Sequence, residues 1–342
     1  MDHPSVEATT WRTKEKAQQD IAKLVKLYKK VTAKSRPAQA WFVTQSEPTA
    51  DQRAVAPKDG SVRVLSFEQF RAQLVDAHGY LRDRDKYAFG SARDPSSGAI
   101  EVKEKYIPLT MISRGSASAA VEDVVEAVDR AGRVVVLGDY GAGKSMTLRE
   151  VFAGLASRFR KGTTASFPIH LNLRDHHAQR NPAEALERHG RNLGFAEPSQ
   201  LVRAWRAGYA HLLLDGFDEM ATPGWVGPTT RMRDIRRRSV ELVRQMIRET
   251  PTGAGIVVAG RDHYFDSSAE MTDALGVGPP FIQYRLGEFS GDQIEEYLKA
   301  RGWAKGLPDW LPARPLLLAY LANRGLLQQA LDVQAGSSPA MA

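Results

Sequence analysis

Eight consecutive residues, Gly138-Asp139-Tyr140-Gly141-Ala142-Gly143-Lys144-Ser145, have the types and spacing to hold a polyphosphate. Glycines let backbone N–H groups curl round phosphate oxygens, a lysine neutralises the terminal phosphates, and a serine hydroxyl coordinates magnesium. The spelling is that of a P-loop, which requires a strand before it and a helix after it. Both are legible. Arg133-Val134-Val135-Val136-Leu137 is an apolar run, and from Met146 onward Leu148, Val151, Phe152, Leu155 and Phe159 recur at helical spacing as far as Lys161-Gly162. The helix N-terminus then points at the phosphates.

Hydrolysis needs a second strand that ends in carboxylates. His211-Leu212-Leu213-Leu214-Asp215-Gly216-Phe217-Asp218-Glu219 supplies one. Asp215, at the strand end, is suited to hold magnesium through water, and Asp218 or Glu219 to orient or deprotonate the attacking water. Phe167 to Leu173 reads as another strand. Gly255 to Gly260 reads as a further buried strand that delivers Arg261 to the same carboxyl edge, where open parallel sheets bind ligands. Arg261 is thereby a candidate contact for a γ-phosphate. The stretch Arg231 to Glu249 reads as one helix with Ile235, Leu242, Val243, Met246 and Ile247 on its buried side. Its arginines 231, 233, 236, 237 and 238 form an exposed flank or, alternatively, serve a neighbouring subunit's phosphate.

With these residues in hand, the chain resembles the NACHT clade of STAND P-loop NTPases, the bacterial NLR-like signalling ATPases. The matching marks are GDYGAGKS (138–145), FPIHLNLRD (167–175), LLLDGFDE (212–219), IVVAGRD (256–262), RLGEFSGDQIEEYL (285–298) and ARPLLLAYL (313–321). Ala259-Gly260-Arg261 stands where Thr-Ser-Arg is commoner in the clade, and Ala313 where glycine is frequent. The resemblance implies an ATP- or ADP-binding module with magnesium that exchanges nucleotide on meeting a trigger and self-associates, in signalling or antiviral defence. It assigns phosphate to Gly138 through Met146, above all Lys144 and Ser145; magnesium to Ser145 and Asp215; the hydrolytic water to Asp218; the γ-phosphate to Arg261; and the adenine side to Pro315. Hydrolysis is expected to be slow.

The fold expected is α/β: a five-strand parallel sheet between helices over 120–288, a small helical subdomain over 289–342 with a truncated C-terminus, and a small α/β domain over 1–90. Residues 91–119, rich in Ser, Pro, Gly and Asp over Ser91–Ala99 and in Ser, Ala and Gly over Ser113–Ala119, read as a connector, with Tyr106–Leu109 between them a short strand or an extended tether. In the leading domain Ile21, Leu24, Val25, Tyr28 and Val31 mark one face of a helix whose other positions carry Lys23, Lys26, Lys29, Lys30 and Lys34. Strands are expected at Ala40–Thr44 and Val62–Leu65, with helices over Thr49–Ala56 and, capped by Ser66, over Phe67–Leu81. This resembles a truncated or degenerate restriction-endonuclease-like fold. The magnesium-binding acid pair of that family has weak counterparts, Glu7 before the first helix, or Asp94 with Glu101 and Lys103, so a DNA-associated ATPase is the alternative reading.

Composition narrows the classes. The 342 residues contain no cysteine, which excludes disulfides, thiolate zinc sites and cysteine nucleophiles. His176 and His177 are adjacent and do not converge on one ion. The net charge of +7 is compatible with nucleic acid as a partner but does not require it. No apolar run reaches membrane-spanning length and no leader is visible, so the cytoplasm is expected.

Overall fold

The computed structural model describes residues 5–9, 13–34, 38–90, 107–113, 118–220, 232–303, 306–308 and 310–327, with no side chains for 5–9 and 323. The chain divides into two compact units, Met1–Ala77 and His78–Ala342.

The first unit alternates strand and helix: β1 (Ser5–Thr9), α1 (Lys14–Thr32), β2 (Ala40–Thr44), α2 (Ala50–Ala54), β3 (Arg63–Ser66) and α3 (Phe67–Ala72). Its three strands are parallel in the order β1-β2-β3, as helical crossovers require. Ile21 and Leu24 of α1 pack on Ala40, Phe42 and Val62, while Lys26, Lys29 and Lys30 stay exposed. Thr49 and Ser66 open α2 and α3 with reciprocal capping boxes to Gln52 and Gln69. One element carries no sequence signal and one expectation changes. Ser5–Thr9, which shows no period, is a strand because Ala40–Thr44 offers it a partner. The helix expected over 67–81 stops at Ala72 and resumes only as α4 (Ala77–Arg84), with Val75 buried between. Glu7 lies on β1 in register with Phe42, whereas Asp94, Glu101 and Lys103 lie outside the described residues.

The second unit continues from α4 with β4 (Met111–Ser113), β5 (Ser118–Ala119), α5 (Val121–Asp129), β6 (Arg133–Leu137), α6 (Lys144–Arg160), β7 (Phe167–Asn172), α7 (Pro182–Asn192), α8 (Ser199–Arg206) and β8 (Ala210–Asp215). Then come α9 (Met232–Ser239), α10 (Glu241–Glu249), β9 (Ile256–Gly260), α11 (Ser268–Leu275), β10 (Ile282–Leu286), α12 (Gly291–Lys299) and α13 (Pro315–Asn323). The sheet order is β5-β4-β10-β6-β9-β8-β7. The run from β10 to β7 is the expected set of five parallel strands, and β4 and β5 add an antiparallel edge. That edge corrects the connector reading of 91–119. Met111 is fully buried and pairs with Leu286, a partner too distant in sequence to be signalled by Ser- and Ala-rich neighbours. Residues 78–90 also belong to this unit rather than the first. Tyr80 packs on Phe167 and accepts a hydrogen bond from the His170 N–H at 3.2 Å.

The order of strands decides the site. β9 lies between β6, which leads into the P-loop, and β8, which ends at Asp215. In register, Leu137 is opposite Gly260, Ala259 opposite Asp215, and Asp215 opposite Asn172. Four strands thus end level, and the residues that follow them share one edge. The expected helix 231–249 is two helices broken at Val240, its buried side formed by Leu242, Val243, Met246 and Ile247; Arg231 lies outside the described residues.

Candidate nucleotide site

From β6 the chain turns through Gly138 to Gly143 into α6. Gly141 and Gly143 take φ of 77° and 95°, the left-handed region that a side chain resists. Gly143 is the N-cap of α6, so the first-turn amides of that helix face the loop. The Lys144 ammonium bonds the Gly138 and Asp139 carbonyls at 2.8 and 3.0 Å, which holds it along the loop. Burial pushes its pKa down, and the nearby Asp218 and Asp215 charges oppose that. Tyr140 projects outward, beneath the Arg261 guanidinium at 5.3 Å. Met146, in the first turn of α6, is half-buried.

The acidic side is built by β8 and β9. Gly216 has φ of 83°, which turns the chain sharply after Asp215 and sends Phe217 under Gly260. A Cβ at Gly260 would lie 2.3 Å from the Phe217 ring, so the glycine in Ala259-Gly260-Arg261 is the counterpart of that phenylalanine. Asp218 is thereby held beside Arg261: its Oδ1 accepts the Arg261 N–H at 3.0 Å and its Oδ2 lies 2.8 Å from Arg261 Nε. Glu219 pairs with Arg174 at 3.3 Å. Two arginines of α9 are engaged elsewhere: Arg236 pairs with Asp266 and Glu270, and Arg237 with Asp273.

A third layer comes from the helical subdomain. Leu316 N–H bonds the Gly141 carbonyl at 3.2 Å, Arg314 reaches Asp139 at 3.4 Å and Glu288 at 3.1 Å, and Pro315, at the first turn of α13, lies against Gly143. Ala313 serves through its backbone, its carbonyl accepting from Phe289 N–H at 2.9 Å, which needs no glycine. The sequence-predicted residues Lys144, Ser145, Asp215, Asp218, Glu219, Arg261 and Pro315 are therefore all drawn to the loop and its edge of the sheet.

The NACHT domain profile matches residues 132–304, just over half of the chain. The chain belongs to the NACHT domain family. As a NACHT protein it carries a P-loop nucleotide-binding module. No curated protein matches the sequence. Among solved structures, it is similar to the Aeropyrum pernix ORC1 protein in complex with DNA, at 16% identity and a TM-score of 0.40, covering 61% of this chain and 59% of that one. It is also similar to Drosophila ORC bound to DNA, at 13% identity and a TM-score of 0.39, covering 65% and 63% respectively. The chain thus spans less than two thirds of either. No helix among the described residues is long and apolar enough to cross a membrane.

The NACHT loop and strand signatures leave out one residue that shapes the site, Gly90. A small cavity of about 50 Å³ opens beside Asp215, walled by Gly90, Asn172, Arg174, Asp175 and Glu219. Gly90, with φ of 72°, donates its N–H to Asn172 Oδ1 at 2.9 Å, and a Cβ there would sit 2.2 Å from Ser145 Oγ. Ser-Pro-Gly composition just beyond it pointed to a connector, and only long-range packing brings Gly90 here. A much larger groove, of about 1060 Å³ and lined by Arg180, Arg206, Arg238 and Glu249 among others, shares no residue with this constellation. Size does not mark the site; convergence of chemistry does.

Burial pushes the Asp215 carboxyl up to about 6, with the Ser145 hydroxyl pulling it back and Glu219 adding to the rise. Its Oδ2 is buried and has no hydrogen-bond partner among the described residues. A serine hydroxyl beside a buried carboxylate is the hard-oxygen donor set that a cation such as magnesium takes. The same burial costs stability. The folded chain keeps this proton up to about pH 6, whereas the unfolded chain releases it near the ordinary value of 3.8, so stability falls as pH rises between the two and stays low above. Asp215→Asn cannot ionise. It is expected to raise unfolding free energy by about 2–3 kcal/mol near pH 8 and by little below about pH 4. Denaturant titrations at both pH values check this, and an equal gain at both would refute it.

Proposed function

We propose that the chain is a magnesium-dependent ATP-binding switch that hydrolyses ATP slowly and changes conformation and self-association with the nucleotide bound. The observation that carries this reading is the Asp218–Arg261 pair, held opposite Lys144 at the carboxyl edge of the sheet. A γ-phosphate reaching Lys144 competes with Asp218 for the arginine. Arg261 then bonds the phosphate, and Asp218 is released to orient the attacking water. ADP lacks that competitor and leaves the pair closed. The two nucleotides therefore differ in contact energy, the requirement for any nucleotide-driven shift of population.

When bound, magnesium neutralises phosphate charge, and Ser145 and Asp215 are the residues to hold it. The subdomain reports the change through Leu316 and Arg314, whose bonds to Gly141 and Asp139 tie α13 to the loop. ATP rather than GTP, self-association, and a place in signalling or defence follow from the NACHT clade as a whole.

The test is binding and turnover of ATP, GTP and ADP in magnesium by the purified chain, beside Arg261→Ala. The parent should bind ATP and release phosphate slowly. The variant should lose about tenfold in ATP affinity with ADP affinity held, which brings the two nucleotides close together. Equal loss for both would show that Arg261 does not read the γ-phosphate, and a parent that binds no nucleotide would sink the reading.

A further inference from the structure

Arg84 is the most deeply buried arginine among the described residues, 1% exposed, and it has no carboxylate within ion-pair distance there. Its guanidinium is used differently. One amino group bonds the Tyr87 carbonyl at 2.7 Å; the other bonds the Ala88 carbonyl at 3.0 Å and His170 Nδ1 at 2.7 Å, and the plane lies 3.9 Å over the Phe89 ring. An arginine can only donate, so Nδ1 of His170 is an acceptor and its single proton sits on Nε2. The ring also packs against Phe89, with 4.6 Å between centroids.

The consequence lies across the ring. Nε2 is 3.9 Å from Asp215 Oδ2, and neither atom has a hydrogen-bond partner among the described residues. The separation is about 1 Å longer than a hydrogen bond, a common state of site contacts that tighten when substrate is in place. Two orphaned buried polar atoms of opposite character, donor and acceptor, face one another at the carboxylate assigned to magnesium.

We propose that His170 is a positioning residue for Asp215, its tautomer set by Arg84, so that the imidazole Nε2–H holds one carboxylate oxygen while the other faces the metal. The pattern is that of an outer-shell donor, which orients a ligating carboxylate and sharpens metal affinity. Arg84 comes from outside the matched NACHT stretch of 132–304, so residues N-terminal to it complete the metal site. The inference rests on the nucleotide reading above.

Two amide substitutions separate the two edges of the ring. His170→Gln places its NH2 where Nε2 stood and keeps a donor toward Asp215; His170→Asn keeps the Nδ1-like acceptor for Arg84 and lacks that donor. The measurement is the Kd of a fluorescent ATP analogue with magnesium and with EDTA, and the ratio of the two. His170→Asn is expected to lower the ratio roughly tenfold with the EDTA value unchanged, and His170→Gln to stay within about threefold of the parent. An unchanged ratio in His170→Asn, an equal fall in both variants, or a loss confined to the EDTA value would overturn the proposal. A parent that binds no analogue fails the nucleotide reading instead. Should the variants not fold, nitrogen-15 NMR of the unmodified chain decides: Nε2–H with an acceptor Nδ1 is expected, and an Nδ1–H tautomer overturns it.

Discussion

Lys144→Ala is expected to abolish nucleotide binding, with Kd raised at least about 100-fold, equivalent to roughly 2.7 kcal/mol. The size follows from where the ammonium sits. It bonds the Gly138 and Asp139 carbonyls at 2.8 and 3.0 Å, half-buried, with Asp218 and Asp215 as the opposing charges that act on it most strongly. Removing it takes away the phosphate's main counter-charge. It also leaves two carboxylates uncompensated at the place where a polyphosphate must lie, so attraction becomes repulsion. The fold should survive, because the loop is also held by the Leu316 and Arg314 bonds and by Gly138 N–H on the Gly260 carbonyl. Calorimetric titration with ATP and magnesium checks the result. Binding within a few fold of the parent would mean that the loop does not hold the phosphates.

Asp218→Asn is expected to lower turnover by about 100-fold or more while leaving nucleotide affinity within about threefold. Asparagine keeps the acceptor for the Arg261 N–H, so the turn after β8 is retained. It loses the charge that pairs with Arg261 Nε at 2.8 Å and that draws a proton from attacking water. Glu219 is the competing candidate: it pairs with Arg174 and helps wall the small cavity beside Asp215. Steady-state phosphate release by Asp218→Asn and Glu219→Gln, side by side, assigns the role. A fall confined to Glu219→Gln would transfer it to that residue, and parental rates in both would remove hydrolysis from this pair of acids.

Much of the site is written in local sequence. Gly138 to Ser145 carries its own geometry, because left-handed φ at Gly141 and Gly143 is a property those residues supply themselves. The apolar runs Arg133–Leu137, Ala210–Asp215 and Ile256–Gly260 are buried on every side, and such runs announce core strands without knowledge of their neighbours. Asp215, Asp218 and Arg261 follow directly from those strand ends. The two capping boxes at Thr49 and Ser66 are equally local.

What the tertiary structure alone decided is who stands beside whom. The insertion of β9 between β6 and β8 is a matter of sheet order, and it sets Arg261 against Asp218 instead of leaving it open to a ligand. Strands β1 and β4 exist only through pairing with partners far along the chain, and β5 only through its pairing with β4, so no periodicity marks them. Arg84 and Gly90 carry no motif at all, and the motif that contains His170 does not say what its ring will meet. Separated by up to 86 residues, Arg84 and His170 meet because α4 packs on β7 through Tyr80 and Phe167, and a buried guanidinium must find acceptors wherever the fold provides them. Local backbone chemistry determines the loop that grips phosphate; long-range burial determines the shell that aims the carboxylate behind it.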